Sequence, residues 1–387
     1  MNQRPQVSGP ILCVVGARPN FMKMAPLLRA LGAQPHTPQP ILVHTGQHYD
    51  AAMSEQLFAG LGLPAPDINL EVGSGTHAVQ TAEVMRRFEP VVDTTHPSCV
   101  VVVGDVNSTL ACTLVAVKKN IPVAHVEAGL RSFDRAMPEE INRLLTDQIS
   151  DLLYTTERSA AENLRREGIP AERVHFVGNV MIDALTASRE HAVPPGVVLA
   201  RYDIEGSILE AESGFGVVTL HRPSNVDRKE DLAEALEILR EVSEMLPLIC
   251  LLHPRTRGNI ERFGLAGLAD APRMVVLPPQ GYLETVGLMT ASTLVITDSG
   301  GMQEETTALG VPCLTMRENT ERPITVEQGT NVLVGRNRAL ILEAVEAILS
   351  GGGKRGRAPE LWDGHAAPRI AAHLARWLAC RAVSAAG

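Results

Sequence analysis

The chain has 387 residues, of which 45% are apolar, and its formal net charge of −9 comes from acidic and basic residues mixed along its length. This length predicts two or three domains, each able to bury a core. The mixed charges argue against a nucleic-acid groove or a membrane-binding face, and no apolar run approaches the roughly 18 residues that span a bilayer. We therefore expect a cytoplasmic protein with a small-molecule partner.

The cysteines show no metal-binding pattern. They lie mostly within apolar runs and form neither a C-x-x-C motif nor a Cys/His cluster. We predict buried, reduced thiols and no metal site. The six positions are Cys13, Cys99, Cys112, Cys250, Cys313 and Cys380.

In the first half of the chain, short Val/Ile/Leu-rich runs alternate with longer segments of helical period. Runs that are apolar throughout are typical of parallel strands covered on both faces, so the pattern predicts a doubly wound α/β sheet. The pairs are "ILCVV" with 19–32, "ILVHT" with 50–60, "CVVVVG" with 107–119, "IPVAHVE" with 138–149, and "DLLYTT" with 157–167.

The same rhythm restarts after "VHFVGNVMIDAL" and predicts a second sheet of the same class. Its strands are "FGVVTLH", "LPLICLLHP", "RMVVLPP", "STLVITDSG" and "VPCLTM". We place the boundary near Gly178-Asn179 and predict a closing helix in "APRIAAHLARWLAC". The expected domains are a Rossmann-like domain over 1–178, closed by helix 366–387, and a second one over 179–365 that binds a nucleotide.

Ligands of open parallel sheets bind beyond the carboxyl ends of the strands. Residues that directly follow the apolar runs are therefore candidate site residues. In the second half these include His221, His253 and Gln280. They also include the turn from strand to helix, here called a corner, that begins at Asp298.

The corner "DSGGMQEE" combines glycines with the start of a helix. Ser299, Gly300 and Gly301 let the backbone approach an anion, and the amides that open the helix favour a diphosphate. Glu305, about one turn into the helix, is placed to reach the hydroxyls of a ribose. The structural alternative is an ordinary serine N-cap.

Two cations follow the first strand, in "GARPNFMK". Arg18 precedes a proline at a helix start and Lys23 comes about one turn later, which suits a phosphate or a nucleotide. A solvated helix start is the alternative.

Asp105 follows the fully apolar strand of "VVVVGDVNST". A carboxylate in this position serves either as a helix cap or as a base. Asn107 and Ser108 are available as caps, so we favour the base.

The segment "VAHVEAGLRSFDRAMPEE" carries further acid and base candidates. Strand alternation predicts that His125 and Glu127 share one face, and the glycine after Glu127 allows a ligand to approach. Glu139 and Glu140 open a helix behind a proline, where acidic residues are also common for dipole reasons.

Two histidines, His221 in "TLHRPSN" and His253 in "LLHPRT", close strands of the second half. A lone histidine is usually structural, but two at equivalent edges favour a role in the site. The glycine string "GSGTHA" at 73–78 follows the polar "DINLEV" rather than an apolar strand. We interpret it as a mobile loop and expect no nicotinamide cofactor.

Together these corners resemble the non-hydrolysing UDP-N-acetylglucosamine 2-epimerase family over nearly the whole chain. The matching motifs are "GARPNFMKMAP", "HTGQHYD", "GDVNST", "HVEAGLR", "MPEEINR", "GNVMIDAL", "LHRPSN", "DSGGMQEE" and "ENTERP". The resemblance implies two Rossmann-like domains facing a cleft, the glycosyltransferase B type. It also implies a homodimer that needs no cofactor and interconverts UDP-GlcNAc and UDP-ManNAc for surface-polysaccharide synthesis.

In that family the proton at sugar C2 is removed while UDP leaves C1, which gives 2-acetamidoglucal, and UDP then adds back. By the matching motifs, the resemblance implies that Asp105, Glu127 and Glu139 are the acid/base carboxylates and that His221 assists near the departing phosphate. It assigns nucleotide contacts to Arg18 and Lys23, diphosphate contacts to Ser299 and Gly300, and ribose contacts to Glu305.

The chain departs from the family pattern at several positions. Asn20 replaces a common glutamate, Ala17 replaces a threonine, and "HRPSN" lacks a second arginine. Asp50 stands where members activated by a second UDP-GlcNAc carry a glutamine, which argues against such activation. The short segment before Glu139 leaves open whether Glu139 or Glu140 faces the sugar.

The same residues are also compatible with three other functions. These are a hydrolysing epimerase, a glycosyltransferase that needs an acceptor, and a non-catalytic sensor of nucleotide sugars. The sequence also leaves open whether the sugar is plain GlcNAc or a derivative such as a diacetamido uronate.

Overall fold

The computed structural model describes residues 9–46, 64–204 and 206–385, with side-chain surroundings for all of these except Arg18, Ser207 and 383–385. The chain divides into two compact units. Unit 1 is Met1–Ala184 with Glu360–Gly387, and unit 2 is Leu185–Pro359.

Unit 1 contains a parallel sheet of seven strands within the described ranges, in the order β3-β2-β1-β4-β5-β6-β7. The order reverses between β1 and β4, so the topological switch point of this sheet lies at the ends of those two strands. The strands are β1 (Ile11–Val15), β2 (Pro40–His44), β3 (Ile68–Asn69), β4 (Cys99–Val103), β5 (Val123–Ala128), β6 (Leu152–Thr155) and β7 (Val174–Phe176).

The helices of this part of the chain cover both faces of the sheet, as continuous apolar strands require. Strand β4 is buried along its whole length, and Val100 and Val102 join the core cluster with Phe88 of a flanking helix. The helices are α1 (Arg18–Gly32), α2 (His77–Thr95), α3 (Asn107–Lys118), α4 (Pro138–Ile149), α5 (Arg158–Arg166) and α6 (Val180–Arg189).

Unit 2 contains a second parallel sheet, with six strands among the described residues in the order β10-β9-β8-β11-β12-β13. Its switch point lies between β8 and β11. The strands are β8 (Gly216–Thr219), β9 (Leu248–Leu251), β10 (Met274–Leu277), β11 (Leu294–Thr297), β12 (Cys313–Thr315) and β13 (Asn331–Leu333).

The long helix of unit 2, Lys229–Met245, buries an apolar stripe that includes Leu232, Leu236 and Leu239 in the core of the second sheet. The helices of this unit are α7 (Pro195–Ala200), α8 (Pro223–Val226), α9 (Lys229–Met245), α10 (Pro254–Phe263), α11 (Ala266–Ala269), α12 (Tyr282–Ala291), α13 (Gly300–Leu309), α14 (Pro323–Glu327) and α15 (Arg338–Leu349).

The C-terminal helix α16 (Ala366–Ala385) packs on α1 in unit 1. Asp183 anchors its start, because the carboxylate accepts hydrogen bonds from the backbone amides of Ala366 (3.0 Å) and Ala367 (2.7 Å). No helix in the described part of the chain is long and apolar enough to cross a membrane.

The two parallel sheets confirm the predicted α/β class, but some elements differ from the sequence analysis. The polar segment "DINLEV" contains the short strand β3, and "GSGTHA" enters helix α2 at His77. Strands β7 and β13 and helix α2 were not predicted. Cys380 is exposed, unlike the other five cysteines. The predicted helix 50–60 lies outside the described residues.

Candidate active site

Asp105 lies at the switch point of unit 1, directly after strand β4 and Gly104. Its Oδ2 accepts hydrogen bonds from Arg143 Nη2 (2.6 Å) and Arg143 Nε (3.0 Å). The carboxylate remains 27% exposed while the arginine side chain is 4% exposed. Asp105 is therefore an accessible carboxylate that is held in one orientation by a buried cation.

Asn107 and Ser108 do not cap helix α3, contrary to the sequence expectation. The N-cap is Val106, which makes no side-chain cap. The Asn107 amide donates to Gln80 Oε1 (2.8 Å), and Ser108 Oγ bonds Thr45 Oγ1 (2.7 Å). These two side chains join polar groups of neighbouring elements behind Asp105, and Asp105 does not replace them as a cap.

Glu127 occupies a strained backbone position at the end of strand β5. Its φ is +72°, and the register with β6 shifts around it as in a β-bulge. A left-handed conformation is uncommon for residues other than glycine and tends to be kept at functional sites. Glu127 is 5% exposed and forms an ion pair with Lys23 of helix α1.

Because Gly104 has no side chain, polar side chains can approach the end of β4 closely. A Cβ at Gly104 would lie 3.2 Å from Asn20 Nδ2 and 3.3 Å from Glu127 Oε2. With φ at +71°, the position also favours glycine. The structure therefore brings Lys23, Asn20 and Glu127 together beside the residue that precedes Asp105.

Glu139 and Glu140 have different surroundings. Glu140 is 2% exposed and accepts from the backbone amides of Ser132 (2.9 Å) and Phe133 (3.0 Å) and from Arg143 Nη1 (2.6 Å). Burial raises the pKa of Glu140, but these donors outweigh it and the pKa is lowered. Its oxygens thus hold the loop before helix α4.

Glu139 is half-buried and lies three and four residues before Asn142 and Arg143, which places the three on one side of helix α4. Asn142 Nδ2 donates to the Asp105 carbonyl (2.9 Å) and Arg143 contacts the Asp105 carboxylate. Because Glu140 is committed to the loop and Glu139 is not fully buried, Glu139 is the candidate of the two for a role at the Asp105 edge.

His125 belongs to the core rather than to a ligand surface. Its Nδ1 lies 2.7 Å from Asp147 Oδ1 and its Nε2 lies 2.8 Å from the Gly104 carbonyl, with no exposed surface. The bulge at Glu127 breaks the strand alternation that predicted a shared face for the two residues.

Arg18 begins helix α1, but its side chain is outside the described part of the structure. Asn20 caps the same helix, because its Oδ1 accepts from the Ala17 amide (2.9 Å) while its Nδ2 donates to the Val103 carbonyl (2.9 Å). The asparagine that departs from the family pattern thus ties helix α1 to strand β4.

His221 and Asp298 lie at the switch point of unit 2. His221 Nδ1 is 2.9 Å from Asp298 Oδ1, and the histidine side chain is 40% exposed while the aspartate has no exposed surface. Asp298 also accepts from the backbone amides of His221 (3.0 Å) and Arg222 (2.9 Å) and from Asn225 Nδ2 (3.1 Å). With Nδ1 held in this way, Nε2 is the ring nitrogen left for a ligand.

Burial raises the pKa of Asp298, but its hydrogen bonds to His221, Arg222 and Asn225 outweigh burial and hold the pKa below its usual range. Asp298 is therefore an ionised carboxylate that orients His221. From the sequence, Asp298 was predicted only as the first residue of the turn before helix α13. The available signal was its position at the end of a buried strand, before Ser-Gly-Gly.

Ser299 is the N-cap of helix α13 by position, but its side chain makes no capping hydrogen bond. The helix begins at Gly300, which is buried, and Gly301 is half-buried. A Cβ at Gly300 would lie 2.8 Å from Glu321 Oε1, so a larger residue here would have to displace this carboxylate. The helix start therefore has backbone amides of the kind that bind phosphates and a serine hydroxyl that does not cap the helix.

Glu305 is 4% exposed and accepts a hydrogen bond from the Tyr282 hydroxyl (2.8 Å). Gln280 is also buried, and its Nε2 donates to Tyr202 Oη (2.9 Å) and to the Pro278 carbonyl (2.8 Å). Both side chains are thus positioned by neighbours within unit 2.

His253 caps helix α10, since its Nδ1 accepts from the Arg255 amide at 3.2 Å. Its ring centroid lies 6.1 Å from that of His221. The two histidines predicted at equivalent strand ends are therefore neighbours, although one of them serves as a cap. Within the described ranges, no group of three or more His, Cys, Asp and Glu side chains could hold a metal ion.

The fold and these polar strand ends define a two-unit α/β protein of the Rossmann-like type, with ionisable side chains at the edge of one sheet and a glycine-rich helix start at the edge of the other. The chain belongs to the UDP-N-acetylglucosamine 2-epimerase family, whose model matches residues 30–375. As a member of this family it is an isomerase.

Two curated relatives and two solved structures illustrate the similarity. The UDP-2,3-diacetamido-2,3-dideoxy-D-glucuronate 2-epimerase of Pseudomonas aeruginosa is 43% identical over 95% of this chain and 99% of its own length. The UDP-N-acetylglucosamine 2-epimerase of Methanocaldococcus jannaschii is 43% identical over 87% of this chain and 91% of its own length.

The crystal structure of the Methanocaldococcus jannaschii enzyme in complex with UDP-GlcNAc and UDP matches with a TM-score of 0.85 and 41% identity, covering 95% of this chain and 99% of that one. The Neisseria meningitidis enzyme bound to UDP-GlcNAc matches with a TM-score of 0.81 and 29% identity, over 95% and 100% of the two chains. These likenesses confirm the predicted fold type.

Proposed function

We propose that the protein reversibly epimerises UDP-GlcNAc at C2 to UDP-ManNAc through 2-acetamidoglucal. The observation that carries this proposal is the edge of unit 1, where the strained, buried Glu127 and the accessible Asp105 follow adjacent strands. Each carboxylate is paired with a cation, Lys23 for Glu127 and Arg143 for Asp105, which holds it in place. Proton abstraction beside a leaving group needs such bases.

The reaction begins when a carboxylate removes the C2 proton and the electrons of the C1–O bond leave with UDP, so that a C1=C2 double bond forms. UDP then adds to C1 while a proton is returned to C2 on the opposite face. A single rigid group can hardly serve both faces, so we assign acid/base roles to at least two of Asp105, Glu127 and Glu139.

Unit 2 supplies the groups for the nucleotide. We assign His221, oriented by Asp298, to the departing phosphate, and the helix start at Ser299, Gly300 and Gly301 to the diphosphate. Glu305 is assigned to the ribose. The other proposed substrate contacts are Arg18, Lys23, His253 and Gln280.

A second candidate substrate is the UDP-linked diacetamido glucuronate, because the Pseudomonas aeruginosa relative that carries this name is 43% identical over 369 residues. Its sugar bears a carboxylate that GlcNAc lacks. Parallel assays with both UDP-sugars decide between them, and the substrate with the higher kcat/KM is the physiological one.

The direct test is an incubation with UDP-GlcNAc alone, followed to its end point by NMR. The proposal predicts an equilibrium mixture of two UDP-sugars without an acceptor. Free ManNAc with UDP indicates a hydrolysing enzyme, and turnover that requires an acceptor indicates a glycosyltransferase. Binding without any reaction indicates a sensor.

We propose further that the protein acts in the cytoplasm as a homodimer and supplies precursors of surface polysaccharide. Asp50, the residue that argues against activation by a second UDP-GlcNAc, lies outside the described residues. If no such activation occurs, initial rates should depend hyperbolically on the UDP-GlcNAc concentration and linearly on the enzyme concentration.

A further inference from the structure

Phe133 is an exposed aromatic residue at the carboxyl edge of the sheet of unit 1. It lies in the loop between strand β5 and helix α4 and presents 75% of its surface to solvent. Its φ is +58°, a left-handed conformation that a bulky side chain rarely adopts. Exposure and backbone strain both disfavour a phenylalanine here, and neither serves the packing of the core.

The strained turn is nevertheless held rigidly. The Phe133 amide donates to Glu140 Oε1 (3.0 Å), and the Ser132 amide and hydroxyl donate to Glu140 Oε2 (2.9 and 3.1 Å). The turn continues with a hydrogen bond from the Asp134 amide to Ser132 Oγ (3.3 Å). Strain that the surroundings fix in this way is a feature of ligand-binding segments.

The side chain that holds this turn, Glu140, is connected to the proposed acid/base residue Asp105. Arg143 bridges Glu140 Oε2 (2.6 Å) and Asp105 Oδ2 (2.6 Å). The backbone of Phe133 is thus linked to the Asp105 carboxylate through two side chains. This framework holds the backbone of Phe133 in place relative to the group that would meet sugar C2.

We propose that Phe133 is a substrate-contacting residue whose ring covers the sugar and retains the 2-acetamidoglucal intermediate. This inference rests on the proposed function. Once the C1–O bond has broken, the sugar is no longer tethered to UDP, so its own contacts must hold it until UDP adds back. Its planar C1=C2 region and C–H surface suit an aromatic face, and polar groups alone are a poor match for them.

The test compares wild type with Phe133→Ala, Phe133→Gly and Phe133→Tyr, using UDP-GlcNAc and NMR to follow epimer, free 2-acetamidoglucal and UDP. Leu145→Ala is the matched control, because Leu145 is an exposed apolar residue (48%) on helix α4 that none of the proposed contacts involves. Wild-type turnover is measured first, since its absence would reject the proposed function and not this inference.

We expect Phe133→Ala and Phe133→Gly to lower kcat/KM roughly tenfold or more, the scale of a lost apolar contact in a binding site, and to release free glycal and UDP during turnover. Phe133→Tyr and Leu145→Ala should resemble wild type. Phe133→Gly should unfold at the same or a higher temperature than wild type, because glycine relieves the left-handed strain.

Several results would overturn the inference. One is an active wild type whose Phe133→Ala variant matches it in both kcat/KM and glycal release. Another is a Leu145→Ala variant with the same losses. A change of molar mass in solution for Phe133→Ala, with kcat/KM unchanged at concentrations where the assembly is intact, would make the ring a contact between copies of the chain.

Discussion

Asp105 and Asp298 occupy equivalent places in the two units, yet the structure surrounds them differently. Each follows a fully buried strand at the switch point of its sheet. Asp105 is 27% exposed and meets one arginine. Asp298 has no exposed surface, accepts from the backbone amides of His221 and Arg222, and also contacts the side chains of His221 and Asn225. From this difference we infer that the exposed Asp105 takes part in the reaction and that the buried, multiply bonded Asp298 has a supporting role.

The largest expected effect is a loss of epimerisation rate when the carboxylates assigned to the reaction are changed. Asp105→Asn and Glu127→Gln keep the shape of the side chain but remove its basicity. Each should therefore lower epimerisation by about 10²–10⁴-fold, the usual contribution of a general acid or base, while UDP binding is retained. Steady-state rates and UDP titrations measure the two quantities. Near-normal rates in both variants would show that the chemistry is not at these strand ends.

The supporting role inferred for Asp298 predicts that its removal lowers the stability of the fold. Asp298→Ala leaves buried donors without an acceptor and should lower the free energy of unfolding by about 3 kcal/mol in chemical denaturation. Asp270→Ala, at an exposed position of the same unit, is the control and should stay within about 0.5 kcal/mol of wild type. Equal stability of the two variants would contradict a structural role for Asp298.

A smaller effect is expected on nucleotide affinity. Glu305→Ala removes a proposed ribose contact and should weaken UDP binding by about 1.5–3 kcal/mol, as should Arg18→Ala at the first residue of helix α1. Tyr282→Phe removes only the hydroxyl that donates to Glu305 and is the matched control for the glutamate. Isothermal titration with UDP gives all three affinities, and unchanged values in both alanine variants would reject these contacts.

The smallest effect is a change in acid stability. Burial raises the pKa of Glu321, but Arg322, Arg317 and Arg222 lower it to about 2 from 4.5. A lowered pKa stabilises the fold above pH 4.5, and this stabilisation is lost as the pH falls towards 2. We expect unfolding free energy to fall less steeply over this window in Glu321→Gln than in wild type. Parallel slopes would contradict this assignment.

Sequence reasoning found most strands because runs such as "CVVVV" are apolar throughout, and it found the site because polar residues end those runs. Strands β3, β7 and β13 were missed, since strands of two or three residues rarely show a period. Helix α2 was also missed. The glycine-rich segment 73–78 was interpreted as a loop. The helix that follows it has a buried stripe at helical spacing, formed by Gln80, Val84, Phe88 and Val92.

The finer features of the site depend on tertiary contacts that no local pattern encodes. The left-handed backbone of Glu127 breaks strand alternation, so the predicted pairing with His125 on one face was wrong. Glu139 and Glu140 are adjacent in sequence, and they are distinguished by contacts with distant parts of the chain, such as the amides of Ser132 and Phe133 that bond Glu140. The role of Asp298 likewise requires knowing which amides surround it.

The most direct test of the central claim is solvent exchange during turnover. The protein is incubated with UDP-GlcNAc in deuterium oxide, and NMR follows the C2 hydrogen of both UDP-sugars. If the carboxylates of unit 1 move a proton at C2, deuterium enters that position as UDP-ManNAc appears, and Asp105→Asn slows both processes. Formation of UDP-ManNAc with the C2 hydrogen fully retained from the substrate would contradict this account.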